Sequence, residues 1–191
     1  MKKLLFTLIG AALFSATVFG QTTYTLDKYH SRVNFSATHF GISHVEGNFK
    51  VIDATLVSKK ADLTDAVITF KADVNFINTE VEYRDKDLKS ASYFDVAKYP
   101  EITFQSTSFR KVAGKNYLLS GNLTIHGVTK PVVFRVVFNG TAVTAMKKPT
   151  AGFTLSGFIN RVDFGVGGDP LTTGVSNKID LSANVEFTIV K

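Results

Sequence analysis

No cysteine occurs anywhere in the 191 residues. That single absence removes disulfides, thiolate metal sites and attachment of a lipid through an N-terminal cysteine, so the fold must be stable through burial and hydrogen bonding alone. Tryptophan is also missing, and no Gly-x-Ser-x-Gly stretch supplies a hydrolase nucleophile elbow. Basic residues outnumber acidic ones, 22 to 16, but they are scattered. Without a clustered basic stripe, nucleic acid is not an expected partner. The one long apolar run, Leu4 to Phe19, is short for a bilayer span and no stop-transfer pattern follows it.

That run instead has the form of an export leader. Lys2 and Lys3 precede it, and Val18 and Gly20 are small enough for the −3 and −1 positions of a signal-peptidase site. Cleavage would place the mature start at Gln21 and the protein in the periplasm or outside the cell. Losing Lys2 and Lys3 lowers the formal charge from +6 to +4, a mild basicity suited to weak attraction to anionic lipid surfaces or a phosphate-bearing ligand. The remaining chain, residues 21–191, is long enough for one domain with a real core.

From Thr22 onward, apolar and polar residues alternate with period two, the pattern of strands with one buried face. Val33, Phe35 and Ala37 form one such set; Val45, Gly47 and Phe49 form the next, and then the phase slips to Ile52, Ala54 and Leu56, which suggests a β-bulge. Ala66, Ile68, Phe70, Ala72, Val74 and Phe76 read as one long strand. Later sets include Ile102 and Phe104, then Tyr117 to Ile125, Val132 to Phe138, Phe153 to Ile159, and Ile179 to Ile189. About eight antiparallel strands at these spacings predict an all-β sandwich or barrel, and an eight-stranded barrel has room for packed side chains or one small ligand.

Residues 78–100 break the alternation. They are rich in charges and helix formers, so a short helical insert around residues 80–97 is expected, capped by Asn78 or Thr79, with a second turn starting at Ser90 and an end at Pro100. Asp27, His30 and Ser31 are the residue types of a hydrolase triad, but strand spacing sends neighbouring side chains to opposite faces. Turn or cap roles for Asp27 and Ser31 fit better, and no enzyme is expected. His30, His39, His44 and His126 lack the spacing of a compact metal site, so no metal is expected either. Seventeen phenylalanines suit either a solid aromatic core or the walls of an apolar tunnel.

Several short motifs, in order, resemble the YceI-like polyisoprenoid-binding proteins. They are Asp27, His30, Ser31, Val33 and Phe35; His39, Val45, Gly47 and Phe49; Ile77-Asn78-Thr79; Arg84-Asp85-x-x-Leu88; Phe94-Asp95; Tyr99-Pro100-x-Ile102-x-Phe104; Gly121-x-Leu123-x-Ile125-x-Gly127-Val128-Thr129; Gly152-Phe153; and Arg161-x-Asp163-Phe164-Gly165. The resemblance covers essentially the whole mature chain. It implies a lipocalin-like antiparallel barrel that binds a long isoprenoid lipid, of the polyprenyl phosphate or quinone type, with no other cofactor. Asp87 departs from the pattern, because the family usually carries a His there.

On that resemblance, the expected tunnel lining is Phe35, Phe49, Phe70, Phe94, Phe104, Leu123, Phe134, Phe153 and Leu181. Expected head-group donors are His30, Arg84 and Arg161, with a structural Arg161–Asp163 pair as the alternative. Transient contact with a membrane surface and a homodimer are left open. Two rival readings remain: an enzyme acting on a lipid in the cavity, and a small outer-membrane barrel with its apolar face outward.

Overall fold

A segment whose side chains alternate between apolar and polar must bury one face, and a sheet closed on itself buries that face without leaving an edge. The computed structural model describes residues 20–190 apart from Val51 and Met146. The predicted leader lies outside the described residues.

The strands are β1 (Thr22–Leu26), β2 (Arg32–His39), β3 (Ser43–Phe49), β4 (Ile52–Ser58), β5 (Val67–Asp73), β6 (Ile77–Asn78), β7 (Glu101–Ala113), β8 (Asn116–Ile125), β9 (Val128–Val143), β10 (Pro149–Asn160) and β11 (Val175–Val190). They make eight staves, because three staves are each broken once. β1 and β2 succeed one another along β11, with Leu26 opposite Phe187 and Phe35 opposite Leu181. The pair β4 and β3 lies beside them, and the pair β5 and β6 lies beside those. Every stave runs antiparallel to the next in sequence, and the last returns to the first, closing an eight-stranded barrel.

Side-chain parity sorts the two faces. Along β11, Leu181, Ala183, Val185 and Phe187 turn inward, whereas Lys178, Asp180, Ser182 and Asn184 are exposed outside. A membrane barrel has the inverse arrangement, apolar toward lipid and polar toward the lumen.

The three breaks lie side by side, and at each a backbone group that leaves the ladder finds a new partner. In the first stave, the Asp27 N–H donates to the Glu186 carbonyl (2.8 Å), and Asp27 Oδ1 accepts from the Tyr29 N–H (2.9 Å). Asp27 Oδ2 pairs with His30 Nδ1 at 2.9 Å, and the Glu186 N–H donates to Ser31 Oγ at 3.0 Å. Asp27 and Ser31 thus act in a turn. In the second stave the break falls where the sequence phase slips, and the Lys50 N–H donates to the Phe76 carbonyl (3.0 Å).

The third break corrects the expected long strand from Ala66 to Phe76. A 3-10 turn, Val74–Phe76, interrupts it. The Val74 N–H leaves the ladder for the Pro100 carbonyl (2.8 Å), and Asp73 Oδ1 accepts from the Asn75 N–H (2.9 Å). Val74 is therefore buried while Phe76 is 49 % exposed.

The helical insert contains α1 (Glu82–Lys89). Neither Asn78 nor Thr79 caps it: Val81 occupies the cap position and makes no side-chain cap bond. Bonding runs the other way, from inside the helix back to the strand. Asp85 Oδ1 accepts from the Thr79 N–H (2.8 Å) and hydroxyl (2.6 Å), and Arg84 donates to Thr79 Oγ1 and the Thr79 carbonyl, both at 2.8 Å. Ser90 ends α1 as its C-cap, and its carbonyl then holds the next turn by accepting from the Tyr93 and Asp95 N–H groups. The insert leaves through Tyr99, whose ring lies against Gly127 in the β8–β9 hairpin and edge-on to His126 (4.7 Å between ring centres).

The Asp27–His30 pair makes the first break sensitive to pH. Its hydrogen bond is the main cause that raises the His30 pKa above the ordinary 6.5 and lowers that of Asp27 below 3.8. The His30 contribution is complete below 6.5 and lost as pH rises through the raised value. The Asp27 contribution is complete above 3.8 and lost as pH falls through the depressed value. Thermal melts of wild type and His30→Gln should differ most between about pH 4 and pH 6.5, with the gap narrowing on either side. A gap independent of pH would show that the pair does not act as a charged latch.

Candidate functional site

The inward faces of the staves do not fill the barrel. They enclose a cavity of about 550 Å³, within the range of small-molecule sites. The base of the cavity is aromatic and tightly packed. Phe109 stacks on Tyr117 (4.6 Å, 6° between planes) and meets Phe153 edge-on (6.4 Å), which in turn meets Phe187 (6.1 Å). The Tyr117 hydroxyl donates to the Asp62 carbonyl (3.1 Å), tying the β4–β5 loop across this end with Leu63 buried beneath it.

All nine residues expected to line a tunnel, Phe35, Phe49, Phe70, Phe94, Phe104, Leu123, Phe134, Phe153 and Leu181, face this one cavity. Eight come from eight different strands, one from each stave, brought together by parity and closure. Phe94 comes from the insert and reaches Phe49 edge-on at 6.5 Å.

Polar side chains enter the lining only at the insert end, where Tyr83, which is 79 % exposed, marks the mouth. Thr38 and His39 arrive from the end of β2, and Arg84 and Asp87 from α1. Tyr93 comes from the following turn and Thr173 from α2 (Pro170–Thr173). Asp87, the departure from the family pattern, therefore stands one helical turn from Arg84 on the same rim. Arg84 commits Nε and one Nη2 proton to Thr79, and Nη1 has no hydrogen-bond partner among the described residues.

The other two expected donors behave differently. His30 is not in the cavity wall; its turn leaves the barrel at the first break, and the ring is exposed beside Asp27. Arg161 does border the cavity but is 4 % exposed, and all five of its N–H bonds are used. Nε donates to the Ser176 carbonyl (3.0 Å), Nη1 to the Val166 and Gly168 carbonyls (2.8 and 2.9 Å), and Nη2 to Thr173 Oγ1 (3.1 Å) and the Val175 carbonyl (2.9 Å). Burial is the main cause lowering its pKa below the ordinary guanidinium value. No ion pair joins it to Asp163. Arg161 binds the β10–β11 loop to itself and has no donor left for a ligand.

Thr38, His39, Tyr83, Tyr93 and Thr173 are the mouth residues that sequence reasoning missed. His39 stood in the quoted motifs, but Thr173 had no signal, since the fold of the β10–β11 loop depends on Arg161. On the barrel exterior, Asp27, His30 and Glu186 bring potential metal-ligand atoms within 4.8 Å of one another, the one such grouping among the described residues. Sequence spacing could not place Glu186 beside the other two.

A family model described as "YceI-like domain" matches residues 24–187. A UPF0312 protein of Pseudomonas putida (strain W619) is 34 % identical over 180 residues, covering 93 % of this chain and 92 % of that one. Two solved structures share the fold. BcnA from Burkholderia cenocepacia superposes with a TM-score of 0.76 at 22 % identity, over 84 % of this chain and 98 % of that one. A polyisoprenoid binding domain from Saccharophagus degradans gives a TM-score of 0.66 at 16 % identity, over 87 % of this chain and 98 % of that one.

Arg161→Met should cost at least about 3 kcal/mol in denaturant unfolding, because it strands several buried acceptors at once. Arg161→Lys should fall between, since a lysine keeps the charge but lacks the planar five-donor fork. A loss under about 1 kcal/mol for the Met variant would mean the loop holds its shape without Arg161.

Proposed function

The chain belongs to the YceI-like family, and from that premise we propose that it carries a long isoprenoid lipid whose tail fills the barrel and whose head is uncharged and accepts hydrogen bonds. The observation that carries this reading is the polarity of the cavity: an unbroken apolar wall from a closed aromatic base up to one polar rim. A tail gains roughly 0.8 kcal/mol for each methylene-sized group it buries there. A polar head left inside would cost several kcal/mol, so it belongs at the rim. The Saccharophagus degradans domain, described as polyisoprenoid-binding, supports the class of tail.

The rim favours a neutral head over a phosphate. Arg84 offers the free donor, the Asp87 carboxylate stands one turn away, and Arg161 is saturated. A quinone-type carbonyl can accept from Arg84 without meeting net repulsion from Asp87, whereas a doubly charged phosphate faces that carboxylate with a single free cation. Binding without turnover is the activity proposed, in the periplasm or outside the cell once the leader is removed.

Such a ligand resides in bilayers, and the loops around the mouth suit brief contact with one. Phe40 and Ile42 in the β2–β3 hairpin are 67 % and 87 % exposed, and Leu171 in α2 is 92 % exposed. They flank Thr38, His39 and Thr173 of the rim.

Native mass spectrometry of the mature chain should show a retained lipid that extraction identifies as an isoprenoid. Offered both, the protein should bind a long-tailed quinone more tightly than a polyprenyl phosphate, with little dependence on salt. Steep salt dependence and a preference for the phosphate would overturn the neutral-head reading; failure to bind either would overturn the isoprenoid one. Ile42→Asp and Leu171→Asp should slow transfer of that quinone from vesicles by several-fold while leaving its affinity unchanged. Unchanged transfer would exclude the loops as the contact.

A further inference from the structure

Three glycines occupy inward-facing positions in the barrel wall, and each lies beneath a phenylalanine ring. Gly47 in β3 sits directly opposite Phe35 of β2. Gly121 in β8 lies under Phe104 of β7, which pairs with Leu123 two residues along. Gly157 in β10 lies under Phe134 of β9; the neighbouring pair is Ser156 with Arg135. All three rings line the cavity.

Side chains normally stand away from a sheet, so a ring at these positions would project into the lumen. A glycine on the adjacent stave removes the obstacle to its lying down. A Cβ at Gly157 would come within 2.5 Å of Phe134 Cδ1 and 3.2 Å of Cε1, closer than carbon atoms approach without repulsion. At Gly47 and Gly121 the added carbon would strike Phe35 and Phe104 in the same way. Glycine also weakens a strand, so its place at three inner-wall positions is not explained by sheet formation.

We propose that Gly47, Gly121 and Gly157 determine ligand specificity by letting Phe35, Phe104 and Phe134 lie flat, which sets the bore of the lumen and admits the methyl branches of an isoprenoid tail. This rests on the reading of the cavity as a lipid site. Replacing any one glycine by alanine turns its ring into the lumen. The narrowed bore then discriminates against a branched chain more than a straight one.

Gly157 is the position to test. At Gly121 a Cβ would also meet the Gln105 carbonyl oxygen at 2.5 Å, and at Gly47 the Asn78 carbonyl oxygen at 2.9 Å, so alanine there disturbs backbone as well. Near Gly157 the three nearest atoms all belong to the Phe134 side chain. Displacement of 1-aminoanthracene from the mature protein can be followed with geranylgeraniol, which is branched, and with hexadecan-1-ol, which is straight.

Gly157→Ala should weaken geranylgeraniol by about tenfold and hexadecanol much less, and adding Phe134→Leu should restore the branched ligand. In the Phe134→Leu background Gly157→Ala should cost geranylgeraniol little, because the ring that the added carbon would strike is gone. Equal binding of both alcohols by wild type and Gly157→Ala would overturn the proposal, as would a Gly157→Ala effect of the same size with and without the Phe134 ring. If wild type prefers the straight alcohol, the isoprenoid reading fails, while a lowered hexadecanol affinity in Gly157→Ala would still show that the glycine sets the bore.

Discussion

The pairing of β11 with both β1 and β2 is the interaction on which the remaining structure depends. One edge of this 16-residue strand receives the first stave in two pieces, Thr23–Leu26 near its end and Arg32–His39 nearer its start. Without that pairing, the first and last staves would be open edges and the sheet could collapse on its apolar face. With it, strand number and stagger fix the diameter, and the inner face can stay apolar without being filled. The Asp27–Ser31 turn matters because it keeps both pieces in register with the same neighbour while the chain departs from the ladder between them.

Closure defines a tube, and the insert end determines which part of it is reached from outside. Adjacent breaks in the first three staves leave β6 only two residues long, and residues 79–100 take over where the third stave stops. Contacts of side chains with exposed backbone hold this end together. Tyr99 rests on Gly127, Tyr93 approaches Gly167, and Phe40 covers Gly174 while its N–H donates to the Gly174 carbonyl at 2.7 Å. Arg161 fastens the same loop from within. The rim that carries Arg84, Asp87 and His39 is thus built from three chain segments with no sequence proximity.

The inner wall was legible in the sequence because parity is local: once a strand has one apolar face, closure sends that face inward. Phe35, Phe70, Phe104 and Phe134 needed no knowledge of their neighbours to be placed. The mouth was not legible for the opposite reason. Whether His30 or His39 borders the cavity depends on a turn held by Glu186, far along the chain. Whether Arg161 is a free cation or a saturated one depends on five acceptors that the β10–β11 loop presents only when folded. The break at Val74–Phe76 was hidden because the alternation of Ala72, Val74 and Phe76 continues through it, while the Pro100 carbonyl that diverts the Val74 N–H lies beyond the insert.

An apolar wall around unfilled space forgoes the dispersion contacts that a solid core would gain. The described barrel offsets this by concentrating its packing at the base, where Phe109, Tyr117, Phe153 and Phe187 are each no more than 5 % exposed. Upward of that cluster, Phe35, Ile68, Phe70, Leu155 and Leu181 are only half-buried, although they are among the most apolar side chains of the fold. Their remaining exposure is surface that an apolar occupant would remove from water. Any molecule that fills the cavity therefore stabilises the folded state by mass action in proportion to the logarithm of its concentration over its dissociation constant. The same half-buried side chains that forgo the packing of a filled core are the surface an apolar occupant would cover, so the stability of this fold is coupled to occupancy through its wall.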